Sequence, residues 1–293
     1  MFERIRHARP SRLFIAADGP REDHEGEAAL CEETRRVAVE SIDWDCEVTT
    51  CFRDSNLGCK IGPSSAITWF FTEVEEGIII EDDCLPDPSF FPMCAELLER
   101  YRDDTRIMHI GGNNFLSEPR RTQDSYSFSI YCHSWGWATW RRAWALYDSE
   151  MSDWNNVKET SWFKAFTGTA PRAKYFSHIF DFIVAGKYDT VWDYQWTFCC
   201  WQNNGLAIVP SVNVVSNIGF SPAAFHTQDT SSPLAKLEAR AIEIPLRHPR
   251  FLYRDFEYEA LNDLHILEIR TNPFLFRQLS LFLSTLRRPR LNQ

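Results

Sequence analysis

Short apolar runs and stretches of helical period take turns along the chain to about residue 115. Leu13-Phe14-Ile15-Ala16-Ala17 predicts a short buried strand, stopped by the turn residues Asp18-Gly19-Pro20. A polar, Glu-rich helix follows through about Arg36–Val39, and the β-branched content of residues 47–52 predicts a second strand. Residues 56–63 read as a glycine-bearing loop. Ser64 or Ser65 is placed to cap a helix whose Ile67, Phe70, Phe71 and Val74 keep helical spacing. Gly77-Ile78-Ile79-Ile80 is continuously apolar, the pattern of a strand covered on both faces. Pro86 and Pro88 interrupt the chain before a predicted helix near residues 90–101, and a strand near residues 106–110 runs into Gly111-Gly112-Asn113-Asn114. This alternation predicts an α/β fold built on an open, mostly parallel sheet with flanking helices.

In such sheets ligands gather beyond the carboxyl ends of the strands. Asp18, Glu81-Asp82-Asp83 and residues 111–114 each follow directly on a predicted strand, so all are expected on that edge. The second half is less regular. Residues 126–131 alternate like a strand, the Trp-rich run 134–142 is expected to pass into a helix, residues 189–196 open a further helical stretch, and residues 207–216 are apolar and β-rich. The tail from Pro273 to Leu291 mixes Phe and Leu with Arg277, Arg287, Arg288 and Arg290. It reads as an amphipathic helix touching anionic lipid, or as one packed on the domain or a partner. The expected division is a domain over 1–235 and a C-terminal helical extension over 236–293.

Composition narrows the functional classes. The 293 residues suffice for one large α/β domain or two small ones. Aromatics reach 14%, with 22 Phe and 11 Trp, which implies a large core or a ring-lined pocket. A formal charge of −10 repels phosphate backbones and argues against nucleic acid as a partner. A carboxylate-bound metal would still bring a nucleotide diphosphate to so acidic a surface. The nine cysteines are odd in number and contain no Cys-x-x-Cys pair, a pattern expected of reduced, packed thiols in a cytosolic protein. Residues 1–20 lack an apolar signal core, and no run reaches the about 18 apolar residues of a membrane span. The expected location is cytoplasmic, at most peripheral to the inner membrane face through the tail.

Glu81-Asp82-Asp83 is the leading candidate for chemistry. Mn²⁺ and Mg²⁺ are hard ions that take carboxylate oxygens and neutralise diphosphates. Adjacent acids at a strand end point alternately, so that one can face a metal while its neighbours address ribose or sugar hydroxyls. A solvated charge cluster has the same composition. Its place after an apolar strand and before Pro86-Asp87-Pro88-Ser89-Phe90-Phe91 is more specific.

Residues 78–91 resemble the acidic motif of N-acetylglucosaminyltransferase I and of related bacterial GT-A glycosyltransferases, which are Rossmann-like nucleotide-diphospho-sugar transferases. Phe14-Ile15-Ala16-Ala17-Asp18-Gly19-Pro20, Trp135-Gly136-Trp137-Ala138-Thr139-Trp140 and Trp192-Asp193-Tyr194-Gln195-Trp196 are similar to further patterns of the bacterial group, in the same order. The resemblance runs from about residue 6 to 230. It implies an inverting, metal-dependent transfer from a nucleotide-sugar donor to a glycan or lipid-linked acceptor in envelope polysaccharide synthesis. Asp83 is implied as the direct ligand of Mn²⁺ or Mg²⁺, with Glu81 and Asp82 as contacts to ribose or donor sugar. Asp18 is implied as the reader of the nucleotide base, and Asp193 as the base that takes the acceptor proton. Trp135 and Trp192 are candidate substrate contacts, Lys60 a candidate phosphate partner, and His226 a late ligand to metal or diphosphate. Each has a structural alternative: Asp193 as a helix cap, Trp192 and at least one of Trp135, Trp137 and Trp140 as core, Asp18 as a turn former, Lys60 as a loop cation, His226 as a surface residue.

The start departs from the pattern. Residues 1–10 resemble the end of the helix that follows the first nucleotide-binding strand in that family, so this strand is expected to be missing. A non-catalytic GT-A-like protein that binds sugar or a partner is therefore the alternative expectation. A metal-dependent phosphohydrolase using the same acids is a third.

Overall fold

The computed structural model describes residues 1–116, 123–221 and 229–269. His226 and the Pro273–Leu291 tail therefore lie outside the described residues. The chain divides into two compact units, Met1–Met151 with Tyr188–Asp255, and Ser152–Lys187 with the chain from Phe256 onward.

The first unit runs α1 (Phe2–Ala8), β1 (Arg12–Ala17), α2 (Glu27–Glu40), β2 (Glu47–Phe52), α3 (Gly58–Glu73), β3 (Glu76–Ile79), β4 (Cys84–Pro86), α4 (Phe90–Arg100), β5 (Ile107–Gly111), β6 (Tyr126–Ser129), β7 (Trp137–Trp140) and α5 (Arg141–Trp144). The second unit contributes α6 (Trp154–Val157), α7 (Ser161–Thr167) and α8 (Ala170–Val184). The chain then returns to the first unit with α9 (Asp193–Gln202), β8 (Leu206–Pro210) and β9 (Val215–Asn217), before α10 (Phe256–His265) rejoins the second.

The central sheet has five strands in the order β3-β7-β5-β8-β6. β7 is antiparallel to both β3 and β5, β8 is parallel to β5, and β6 is antiparallel to β8. The sheet is thus mixed, where the sequence predicts a mostly parallel one. Among the described residues no helix lies between β5 and β6 or between β6 and β7, whereas α5 to α9 precede β8. Parallel neighbours need a long crossover, usually helical, so β6 and β7 run against their neighbours while β8 lies parallel to β5. β3, β5 and β8 still share one direction, which places their carboxyl ends on one edge. β1 and β2 form a separate parallel pair, and β4 and β9 an antiparallel ribbon.

Two further expectations change. β3 is only half-buried at every position, because it is the edge of its sheet with β7 as its one partner. The Trp-rich run passes into a helix as expected, but only at Arg141; before it Trp137 to Trp140 form an unforeseen strand, β7, in register against Ile79 to Glu76. Aromatic and β-branched residues suit such a covered strand. The core beneath it holds Phe90, Met93 and Leu97 of α4 with Ile107, Ile110 and Ile208, all almost completely buried.

In the second unit Trp154 packs edge-on against Phe163 and Phe180, at 5.0 and 5.1 Å. Buried Arg172 of α8 binds Asp263 and Glu259 of α10 at 2.8 and 3.0 Å. A cavity of about 960 Å³ in this unit, bordered by Lys164, Lys174 and His178, is lined by none of the candidate site residues of the sequence analysis. No helix among the described residues is long and apolar enough to cross a membrane.

Candidate active site

The acidic triplet lies in a turn just beyond β3, closed by a hydrogen bond from the Cys84 amide to the Glu81 carbonyl at 3.1 Å. The acids therefore take their directions from a turn instead of from strand alternation. Asp82 is exposed, while Glu81 and Asp83 are half-buried. The ribbon of β4 and β9 fixes the far side, where the Ile218 amide donates to the Asp83 carbonyl at 2.8 Å. The Asp83 carboxylate lies so close over the Cα of Gly219 that a Cβ there would collide with it. Gly219 is held by its own amide, which donates to Asn217 Oδ1 at 2.7 Å.

Glu81 joins this turn to a distant segment. Burial, followed by the charges of Asp83, Asp193 and Asp82, raises its pKa from 4.5 to about 8, and a hydrogen bond from the Trp192 side chain opposes the shift. The Trp192-Asp193 pair at the start of α9 therefore shares one electrostatic environment with the acidic turn. Asp193 Oδ1 accepts from the Tyr194 amide at 3.0 Å. Trp192 is buried in an indole cluster: it stacks on Trp137 at 5.6 Å and meets Trp144 at 6.2 Å, and Trp196 joins both. Tyr147 stacks on Trp144 at 4.3 Å and donates its hydroxyl to the Trp192 carbonyl at 3.2 Å, and its phenol feels Asp193 after burial and Ser64.

Asp18 follows β1 and is occupied by backbone. Its two oxygens accept from the amides of Gly19, Leu57 and Gly58, at 2.9 to 3.1 Å. This distant carboxylate caps α3, which consequently starts at Gly58, ahead of the local Ser64 or Ser65 cap that the sequence predicts. Ser64 instead bonds back to the Lys60 carbonyl at 2.7 Å, and Pro63 sits inside the helix. Lys60 accordingly lies in the first turn of α3, outside any loop, and pairs with exposed Glu150 at 3.0 Å. Cys59 beside it has a thiol pKa raised by burial and then by the charges of Glu81 and Asp18, so β1, β3 and α3 converge here.

Trp135 is half-buried and forms an aromatic wall with Phe115 at 4.8 Å and Phe220 at 5.7 Å. Phe220 follows Gly219, which ties this wall to the Asp83 side of the site. The structure thus brings Glu81, Asp82, Asp83, Trp192 and Asp193 together, with Trp135 linked through the Gly219 loop. Sequence reasoning passes over Tyr147, Gly219 and the buried His109 of β5. Tyr147 lies outside every pattern used, His109 falls in a predicted strand that gives no sign of its ring's role, and the requirement for glycine at 219 arises from the approach of Asp83.

Among the described residues no three His, Cys, Asp or Glu side chains form a ready-made metal cage. The donor set fits a different mode, in which a hard cation takes one or two carboxylates and completes its shell with water and substrate phosphates. The repulsion among these carboxylates, which adds to burial in raising the Glu81 pKa, would be relieved by such a cation. What the fold and site define is a mixed α/β protein with carboxylates gathered at a strand edge. No protein-family model matches the chain, and no curated protein matches it.

Proposed function

We propose that this protein is a GT-A-type glycosyltransferase that moves a sugar from a nucleotide-diphosphate donor to a glycan or lipid-linked acceptor, with inversion and with Mn²⁺ or Mg²⁺. The observation that carries this reading is the meeting of the acidic turn and the Trp192-Asp193 pair at Glu81. Asp83 would hold the cation, which would supply the charge that neutralises the leaving diphosphate. Asp193 takes the proton of the acceptor hydroxyl as its oxygen bonds to the anomeric carbon and the bond to diphosphate breaks. Glu81 and Asp82 orient hydroxyls of ribose or sugar, and the Trp135 wall offers a ring face to the acceptor. Lys60, if freed from Glu150, reaches phosphate as a point charge.

A thermal-shift screen of nucleotide sugars with Mn²⁺, followed by transfer assays on the positive donors, tests the reading. Asp83→Asn is expected to abolish the Mn²⁺-dependent shift. Asp193→Asn is expected to keep that shift and lower kcat by about 10²- to 10⁴-fold. Full transfer by Asp193→Asn, or no shift of the wild type with any donor, overturns it.

A non-catalytic sugar- or partner-binding role is the second reading, favoured by the commitment of the Asp18 carboxylate to backbone amides. It predicts no nucleotide-induced thermal shift even with Mn²⁺.

A further inference from the structure

His109 lines no part of the candidate site, yet it is bonded to both of its walls. Its ring is completely buried in β5, stacked on Trp137 at 5.1 Å and 17°. Nδ1 accepts a hydrogen bond from Nε1–H of Trp196 at 3.1 Å. Nε2 lies 3.0 Å from the carbonyl oxygen of His133. A carbonyl only accepts and an indole N–H only donates, so the proton resides on Nε2 and both ring nitrogens are committed. Burial lowers the ring's pKa to about 3, which keeps this neutral tautomer in place over the ordinary pH range.

The two partners belong to different elements. Trp196 lies one helical turn beyond Asp193 on α9, so a bond at its indole fixes the face and height of that turn. His133 precedes Trp135 by two residues, and its ring touches Phe115 of the same aromatic wall at 4.4 Å. We propose that His109 is a positioning residue whose two hydrogen bonds hold the helix of Asp193 and the loop of Trp135 in one fixed relation through β5. Only the identity of what is positioned rests on the glycosyl-transfer reading. Misplacement of a reacting group by about 1 Å costs about 100-fold in rate, so a buried tie of this kind is felt at the chemistry.

Two substitutions in the full-length protein separate the ties. His109→Asn keeps an acceptor near the Nδ1 position and loses the donor to His133. His109→Gln keeps a donor near the Nε2 position and loses the acceptor for Trp196. Hydrogen exchange needs neither substrate nor metal: Gln is expected to speed exchange of the α9 amides and leave residues 133–136 unchanged, and Asn to do the reverse. With a donor found in the nucleotide-sugar screen, Gln is expected to lower kcat by about 10- to 100-fold at near-constant acceptor KM. Asn is expected to raise acceptor KM with kcat retained. Loss of kcat and rise of KM together in both variants, in step with a lower Tm, would reduce His109 to packing and overturn the proposal. So would identical exchange changes in the two variants. If no donor is turned over by the wild type, the glycosyl-transfer reading fails, and the exchange pattern alone decides whether the two ties are separable.

Discussion

Glu81 is held protonated by burial first and by the like charges of Asp83, Asp193 and Asp82 second. Its folded pKa of about 8 lies above the ordinary 4.5, so the folded protein keeps a proton that the unfolded chain releases. The stability it contributes is complete below about pH 4.5 and is lost as pH rises through about 8, over a range on the order of a few kcal/mol. The Tm of cation-free protein is therefore expected to fall between about pH 6.5 and about pH 9, above the range in which His109 acts, and Glu81→Gln to flatten that fall. Added Mn²⁺ should flatten it as well, because a cation favours the carboxylate. A wild-type Tm that rises across this window contradicts the assignment. His109 has the opposite sign, since its lowered pKa makes the folded state shed a proton that the unfolded chain binds. Its stability is present above about pH 6.5 and declines as pH falls toward about 3, so the two groups act against each other only on the acid side.

At the level of elements, α3 depends on a cap from outside its own sequence. Asp18→Ala is expected to cost about 1–2 kcal/mol in urea unfolding and Asp18→Asn less, because asparagine still accepts from one or two amides. An unchanged unfolding midpoint for Asp18→Ala would show that the cap is dispensable. The same element marks the limit of reading by local pattern. Strand β1, the apolar run before the acids and helix α4 follow from runs and periods that lie within a few residues. The start of α3 does not, because its cap comes from the end of another strand. The half-burial of β3 and the strand state of Trp137–Trp140 depend on which strands pair, and that is decided by segments distant in sequence. In the candidate site the acids and the Trp-Asp pair were legible as motifs. Tyr147, Gly219 and His109 were not, since their roles arise from contacts that leave no local spacing behind.

Across the whole molecule, both units place charge under cover, to different ends. The first gathers carboxylates in the turn beyond β3, around half-buried Glu81. The second encloses Arg172 between Glu259 and Asp263, which locks α8 to α10. Removing one partner of such a buried set costs about 3–5 kcal/mol, so Arg172→Ala is expected to loosen the second unit selectively. Calorimetry should then show an early transition separate from that of the first unit, and a single unshifted transition would exclude this role. The indole cluster of the first unit has a consequence of another kind. Trp137, Trp144, Trp192 and Trp196 lie with neighbouring ring centres between 5.2 and 6.2 Å apart, close enough for their excited states to couple. Light absorbed by one ring is expected to be shared among the four before it is emitted, with a paired positive and negative band in circular dichroism as the expected sign of that coupling. Since Trp192 stands next to Asp193, the molecule carries its own optical gauge of how that helix sits.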